Sequence, residues 1–288
     1  MMSSVAGAFG SDHPLATMTV RMEGTSDGVG LFCDGLAAVT GASRPLSDRE
    51  RANCAASHIN YVRLHVADDA VVVFTADDAS LPQCLTSQQI YSLMGPESMP
   101  VDTWHGASAV ISGTGDGLPP TALSVYGPDA GSGTRQVLID LIISPFAKER
   151  GMVPTLRTDY NAVPSEQLIP TATASAGGGL GFTGMAILSQ SDQKVRPVAI
   201  DSGSGCVTPT VAHVRDGTYA LGRPLYLYVN LADVAHNATL QQFVETVLAP
   251  RGLAAAGTTG GIALAPAEAD AVRAHWHHAV ENGKGDTA

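Results

Sequence analysis

Lysine is nearly absent from this sequence: the only three are Lys148, Lys194 and Lys284, against 27 acidic residues and a net charge of −11. With so little positive charge, no basic surface for nucleic acid or anionic lipid is visible, and no polyanionic partner is expected. Apolar runs are short as well, far below the roughly 18 residues that a membrane-spanning helix needs. The first residues, Met1 to Gly10, have neither a basic start nor an apolar stretch and do not read as a secretion signal. No glycine run is followed by a phosphate-loop lysine, which argues against nucleotide hydrolysis, and no G-x-S-x-G elbow surrounds Ser202 or Ser204. Gly179 to Gly184 fits G-x-G-x-x-G by letter but lacks the downstream acidic residue of a dinucleotide site.

The four cysteines, Cys33, Cys54, Cys84 and Cys206, show no C-x-x-C spacing and no histidines in ligand register, so a zinc site is not expected. His275, His277 and His278 do not place three ligands on one helix face and read as a solvated terminal helix. An even number of cysteines allows two disulfides in one of three pairings. The preferred pairing is Cys33 with Cys54 and Cys84 with Cys206. Four buried free thiols remain the alternative, because no export signal is present.

What is there suits an α/β protein. The chain has 288 residues, 44% of them hydrophobic, with 31 glycines and 17 prolines, enough for one large or two medium domains with many tight connections. Short β-branched runs alternate with helical patterns. Met18 to Arg21 reads as a strand, Gly24 to Gly28 as a glycine-rich turn, and the stretch through Phe32 as helical. Ser47 followed by Glu50 is a capping signal that opens a helix to Ala56. Val62 to His65 and Val71 to Thr75 read as strands, the second apolar enough to be central. Thr86 to Met94 predicts a helix, Ala122 to Tyr126 a strand, and Arg135 to Arg150 another helix. Pro224 to Val229 predicts a late strand, followed by helices over Thr239 to Ala249 and Pro266 to Asn282.

Three stretches carry polar chemistry. Ser132-Gly133-Thr134 puts two hydroxyls and consecutive N–H groups at a helix start, with glycine allowing close approach. Thr25-Ser26 before Gly28 offers a second such start, and Ser43-Arg44 adds a hydroxyl and a guanidinium fork. Each alone has a plainer reading, as a turn with an N-cap or as a surface ion pair. Together they could satisfy a desolvated tetrahedral anion, which needs many directed donors, and an acidic protein can still hold one small anion this way.

Their order and spacing, with Phe32-Cys33, Ala42-Ser43-Arg44-Pro45, Cys84-Leu85-Thr86, Trp104, Tyr126-Gly127-Pro128, Arg157-Thr158-Asp159-Tyr160, Gly181-Phe182, Asp216-Gly217-Thr218-Tyr219, Arg223-Pro224-Leu225-Tyr226 and Phe243-Val244, resemble the phosphate-binding proteins of phosphate ABC importers. The likeness covers residues 5 to 265. It implies an α/β fold of the type II periplasmic-binding-protein kind: two lobes, each a mixed sheet flanked by helices, with two strand crossovers near Thr75 and Arg223 as the hinge. Lobe 1 would comprise residues 1–76 with 224–288, and lobe 2 residues 77–223.

The resemblance further implies that inorganic phosphate, or a similar tetrahedral oxyanion, is held between the lobes by Thr25, Ser26, Ser43 and Arg44 from one and Ser132, Gly133 and Thr134 from the other. It implies delivery to a membrane permease, no catalysis, no metal, no cofactor, a monomer, and a periplasmic or extracellular location. Arg135 matches an arginine of some relatives, and Asp159 and Tyr160 match a lobe-packing motif. In the family, a strand and a Ser-Thr or Thr-Phe loop lie upstream of the Gly-Thr motif; here that position falls before Met1, so a shortened start is expected. Some relatives carry an aspartate directly after the serine that is Ser43 here, as acceptor for the phosphate proton, where this chain has Arg44. Two other functions stand beside it: an oxyanion sensor uncoupled from transport, which would share every motif, and, less favoured, a phosphatase on the same scaffold, which would need a metal cluster or an activated nucleophile.

Overall fold

The computed structural model describes residues 7, 9–11, 13, 16–21, 24–258 and 261–286, with the side chains of 256–258 excepted. Among the described residues ten strands occur in chain order: β1 (Val39–Ala42), β2 (Tyr61–Ala76), β3 (Cys84–Thr86), β4 (Ser124–Pro128), β5 (Asn161–Val163), β6 (Gly179–Gly184), β7 (Val195–Pro197), β8 (Ala199–Asp201), β9 (Cys206–Val207) and β10 (Gly222–Asn230). The chain forms two compact units, Met1–Asp68 with Arg223–Ala288, and Asp69–Gly222. The division in β2 thus falls between Asp68 and Asp69, N-terminal to the Ala76 boundary expected from sequence, while the return falls at the start of β10.

In the first unit β1 runs antiparallel to β10, from Val39 opposite Val229 to Ala42 opposite Tyr226, and β10 neighbours β2. Strand alternation sorts the two faces. Leu227 and Val229 of β10 join Val62 and Leu64 of β2 in a core with Phe243, Val244, Val247 and Leu248 of the Ala238–Leu248 helix and Trp276 of the Pro266–Asn282 helix. Tyr228 and Tyr61 point the other way, onto Val29, Phe32, Cys33 and Cys54. Phe243, Val244, Val247 and Leu248 recur at helical spacing, which is why that helix buries one stripe. Beyond the last helix, the Asp286 N–H donates to Tyr61 O (2.7 Å) and the Asp286 carboxylate accepts from the Arg63 N–H (2.7 Å), so the tail covers the edge of β2 at its start.

In the second unit the latter part of β2 pairs antiparallel with β6, Val71 opposite Gly184 and Thr75 opposite Leu180. β6 runs parallel to β4, and β4 parallel to β5. Every residue from Val71 to Ala76 is buried, as a nearly continuous apolar strand requires. A small second sheet, β3–β8–β9, is stapled by a disulfide between Cys84 and Cys206. A second disulfide joins Cys33 and Cys54 in the first unit, and this is the preferred pairing.

Most expected helices are present, with three differences elsewhere. Met18 to Arg21 is irregular; Val20 and its neighbours are exposed, and no strand among the described residues pairs with the stretch. The two strands expected over Val62–His65 and Val71–Thr75 are one, running through Asp68 and Asp69 without a break. Asp68 is buried, takes His65 Nε2 at 2.8 Å, and pairs through its backbone with Ile262. The expected turn over Gly24–Gly28 is already helical from Thr25, with Gly24 as N-cap.

Candidate functional site

Two clusters of donors stand out, one in each unit. In the first, the Thr25–Cys33 helix begins beside the end of β1. Gly24 caps it without a side chain, so its first-turn N–H groups receive no side-chain acceptor. Gly28 is required here by packing, since a Cβ would lie 2.8 Å from Thr40 Oγ1 of β1. That close approach brings Thr25 onto the chain leaving β1: Thr25 Oγ1 lies 3.1 Å from Ser43 Oγ and accepts the Ser43 N–H at 3.2 Å. Ser26 Oγ accepts from Arg44 Nη2 at 3.1 Å.

Arg44 is engaged by a residue that sequence reasoning had treated only as a helix cap. Its Nη1 and Nη2 donate to Glu50 Oε2 (2.7 Å) and Oε1 (2.8 Å), and Nη1 also donates to Pro45 O (3.1 Å). The two-pronged fork expected to meet a ligand therefore closes on Glu50 in this structure. Glu50 also completes the capping box with Ser47. The Arg44 hydrogen bonds hold the Glu50 carboxyl down at about 2, with the Ser47 donors adding to the effect. The Glu50 carboxylate in turn raises the Arg44 pKa. The pair lines an open depression of about 430 Å³ between the Thr25–Cys33 and Asp48–Ala56 helices, with Ser26, Cys33, Ser47 and Asn53 also on its wall.

In the second unit β4 ends at Pro128 and the chain turns into the Gly133–Leu138 helix, continued by a π turn at Ile139–Ile143 and by Ser144–Glu149. Ser132 is the N-cap: its Oγ accepts from Thr134 N–H (3.1 Å) and Arg135 N–H (3.4 Å). Its proton goes to Glu166 Oε1 at 2.7 Å. Thr134 Oγ1 (3.1 Å) and the buried Thr183 Oγ1 (3.0 Å) donate to Glu166 Oε2. Three hydroxyls thus converge on one carboxylate. Arg135 Nη2 reaches Thr155 Oγ1 at 3.3 Å, and its buried Nε has no partner among the described residues.

Sequence reasoning missed Glu50 as the partner of Arg44, although the Ser47-Glu50 spacing named it for another reason. Glu166 and Thr183 carried no signal: one lies on a short turn between Ser165 and Gln167, the other inside β6. Other motif residues turn out to serve packing. A Cβ on Gly127 would fall onto the Phe182 ring, so Gly127 and Phe182 fit one another across β4 and β6. The Tyr160 hydroxyl donates to Pro128 O at 2.7 Å, and Asp159 is forked by the buried Arg157 at 2.7 and 2.8 Å, which lowers the Asp159 pKa. His275 Nε2 pairs with Asp286 at 3.2 Å, and no group of three or more His, Cys, Asp or Glu among the described residues could hold a metal ion.

A family model described as the PBP superfamily domain matches residues 1–251. The chain belongs to the PBP superfamily. Its mixed α/β architecture is that of the type II periplasmic binding proteins expected from the sequence motifs. The crystal structure of a possible phosphate-binding protein from Planctomyces limnophilus is similar at a TM-score of 0.85 and 27% identity, over 97% of this chain and 94% of that one. Among curated PBP relatives, the phosphate-binding protein PstS of Staphylococcus saprophyticus is 26% identical over 86% of this chain and 72% of its own length. Protein SphX of Synechococcus elongatus is 27% identical over 86% of this chain and 70% of its own. An ABC-type phosphate transport receptor from Vibrio cholerae shares the fold, at a TM-score of 0.61 and 19% identity.

Proposed function

We propose that this PBP-superfamily chain binds inorganic phosphate, or a similar tetrahedral oxyanion, and delivers it to the permease of an ABC importer. The observation that carries the reading is the Thr25–Ser43 hydroxyl pair, 3.1 Å apart at the start of a helix whose N-cap offers no side chain. Such a group of hydroxyl and backbone donors suits an anion and has little use for a neutral or cationic ligand. The relatives named as phosphate-binding proteins support phosphate as the anion.

In this reading Thr25, Ser26, Ser43, Arg44, Ser132, Gly133 and Thr134 supply the donors to the ligand. The protein is a monomeric carrier working in the periplasm or at the cell surface, where its two disulfides persist. It catalyses no reaction and needs no metal or cofactor.

Isothermal titration of the full chain with phosphate, arsenate and sulfate tests this. Saturable heat and a thermal shift with phosphate are expected. Neither heat nor shift with any of the three anions would reject the assignment.

A further inference from the structure

The carboxylate of Glu166 occupies the hydroxyl cluster of the second unit as an anion would. Ser132 Oγ has one proton and two lone pairs, and all are committed: the proton to Glu166, the lone pairs to the N–H groups of Thr134 and Arg135. Thr134 gives its only hydroxyl proton to the same carboxylate, as does Thr183. While Glu166 holds them, neither Ser132 nor Thr134 can donate a hydroxyl proton to a ligand. A second negative charge beside the carboxylate would also be repelled.

We propose that Glu166 is an affinity-setting residue: an internal competitor that holds the Ser132 and Thr134 hydroxyl protons until a bound oxyanion takes them over. The inference rests on the proposed oxyanion site and deepens it. Binding then exchanges one set of charge-assisted hydrogen bonds for another, so the net gain is smaller than the donor count suggests. Thr183 differs from the other two hydroxyls in being wholly buried, so its part is to fasten Glu166 in place.

The test uses the full chain with phosphate and, separately, sulfate as probes. Glu166→Gln keeps the side chain's shape but removes its charge and weakens its hold on the hydroxyls. Phosphate and sulfate should both bind Glu166→Gln more tightly than wild type, by about tenfold for the loss of one charged competitor. Thr183→Val, nearly isosteric and uncharged, loosens the carboxylate without removing it. It should tighten binding in the same direction by a smaller factor. Melting temperatures of both variants report whether the fold persists.

Unchanged or weaker binding of both anions by a folded Glu166→Gln or, should that variant not fold, by Thr183→Val would overturn the inference, while wild-type phosphate binding left the functional reading intact. Absence of any binding by wild type and variants alike would remove the reading on which the inference rests, and the inference with it.

Discussion

The guanidinium of Arg44 is forked onto the carboxylate of Glu50, Nη1 to Oε2 at 2.7 Å and Nη2 to Oε1 at 2.8 Å. The same carboxylate closes the capping box of the Asp48–Ala56 helix, and Arg44 Nη2 also donates to Ser26 Oγ, so the pair links this helix to the Thr25–Cys33 helix, which the Cys33–Cys54 disulfide joins as well. Arg44 therefore arrives at the Thr25–Ser43 cluster already oriented. A bidentate pair limits its motion in a way that a lysine could not reproduce.

This pairing gives stability a defined acid dependence. The Glu50 pKa is lowered from the ordinary 4.5 to about 2 in the folded chain. A depressed carboxylate contributes stability that is fully present above its unfolded value and is lost as pH falls through the folded one. Wild type should lose this contribution between about pH 4.5 and pH 2, and Glu50→Gln should lack it. Denaturant melts of both proteins across that interval check the point; parallel pH profiles would contradict it. Because Arg44 is 40% exposed, solvent screening keeps the difference modest.

Glycines of the two motif stretches should respond to very different degrees. Gly127→Ala drives a methyl group into Phe182 and should cost about 1–3 kcal/mol by overpacking. Gly133→Ala meets nothing within 4 Å and should change stability by less than about 0.5 kcal/mol. Urea denaturation of the two variants measures this; equal losses would show that the β4–β6 packing is misassigned.

The disulfides differ in access. Cys33 and Cys54 are buried at 2% and 0% exposure, whereas Cys206 is exposed. A brief treatment with a water-soluble phosphine followed by alkylation should label Cys84 and Cys206 before Cys33 and Cys54, since exchange needs an approachable sulfur. Full reduction should lower stability by roughly 2–5 kcal/mol. Mass spectrometry showing the reverse order of labelling would count against the burial described.

Legibility followed the range of the interactions involved. Local signals were sufficient for the helix starts: Ser47 with Glu50 and Ser132 ahead of Gly133 both act within one turn. The continuity of β2 was not legible, because Asp68 and Asp69 look like a break unless the contacts of Asp68 with His65 and Ile262 are known. The convergence of Thr25 on Ser43 was inferable only through family spacing. The carboxylates of Glu50 and Glu166 were harder still. Glu166 meets Ser132 from 34 positions away, through folding of the second unit that no pattern near either residue announces.

The account depends most on hydroxyl donors from two separate stretches serving one anion. Phosphate titration of wild type, Thr25→Val and Thr134→Val, all verified as folded, tests this most directly. The account predicts saturable binding by wild type, a loss of about 1–3 kcal/mol in Thr25→Val, as for removing a donor to a charged acceptor, and a smaller loss in Thr134→Val, whose proton passes to the anion from Glu166. Phosphate affinity unchanged in both variants would contradict it.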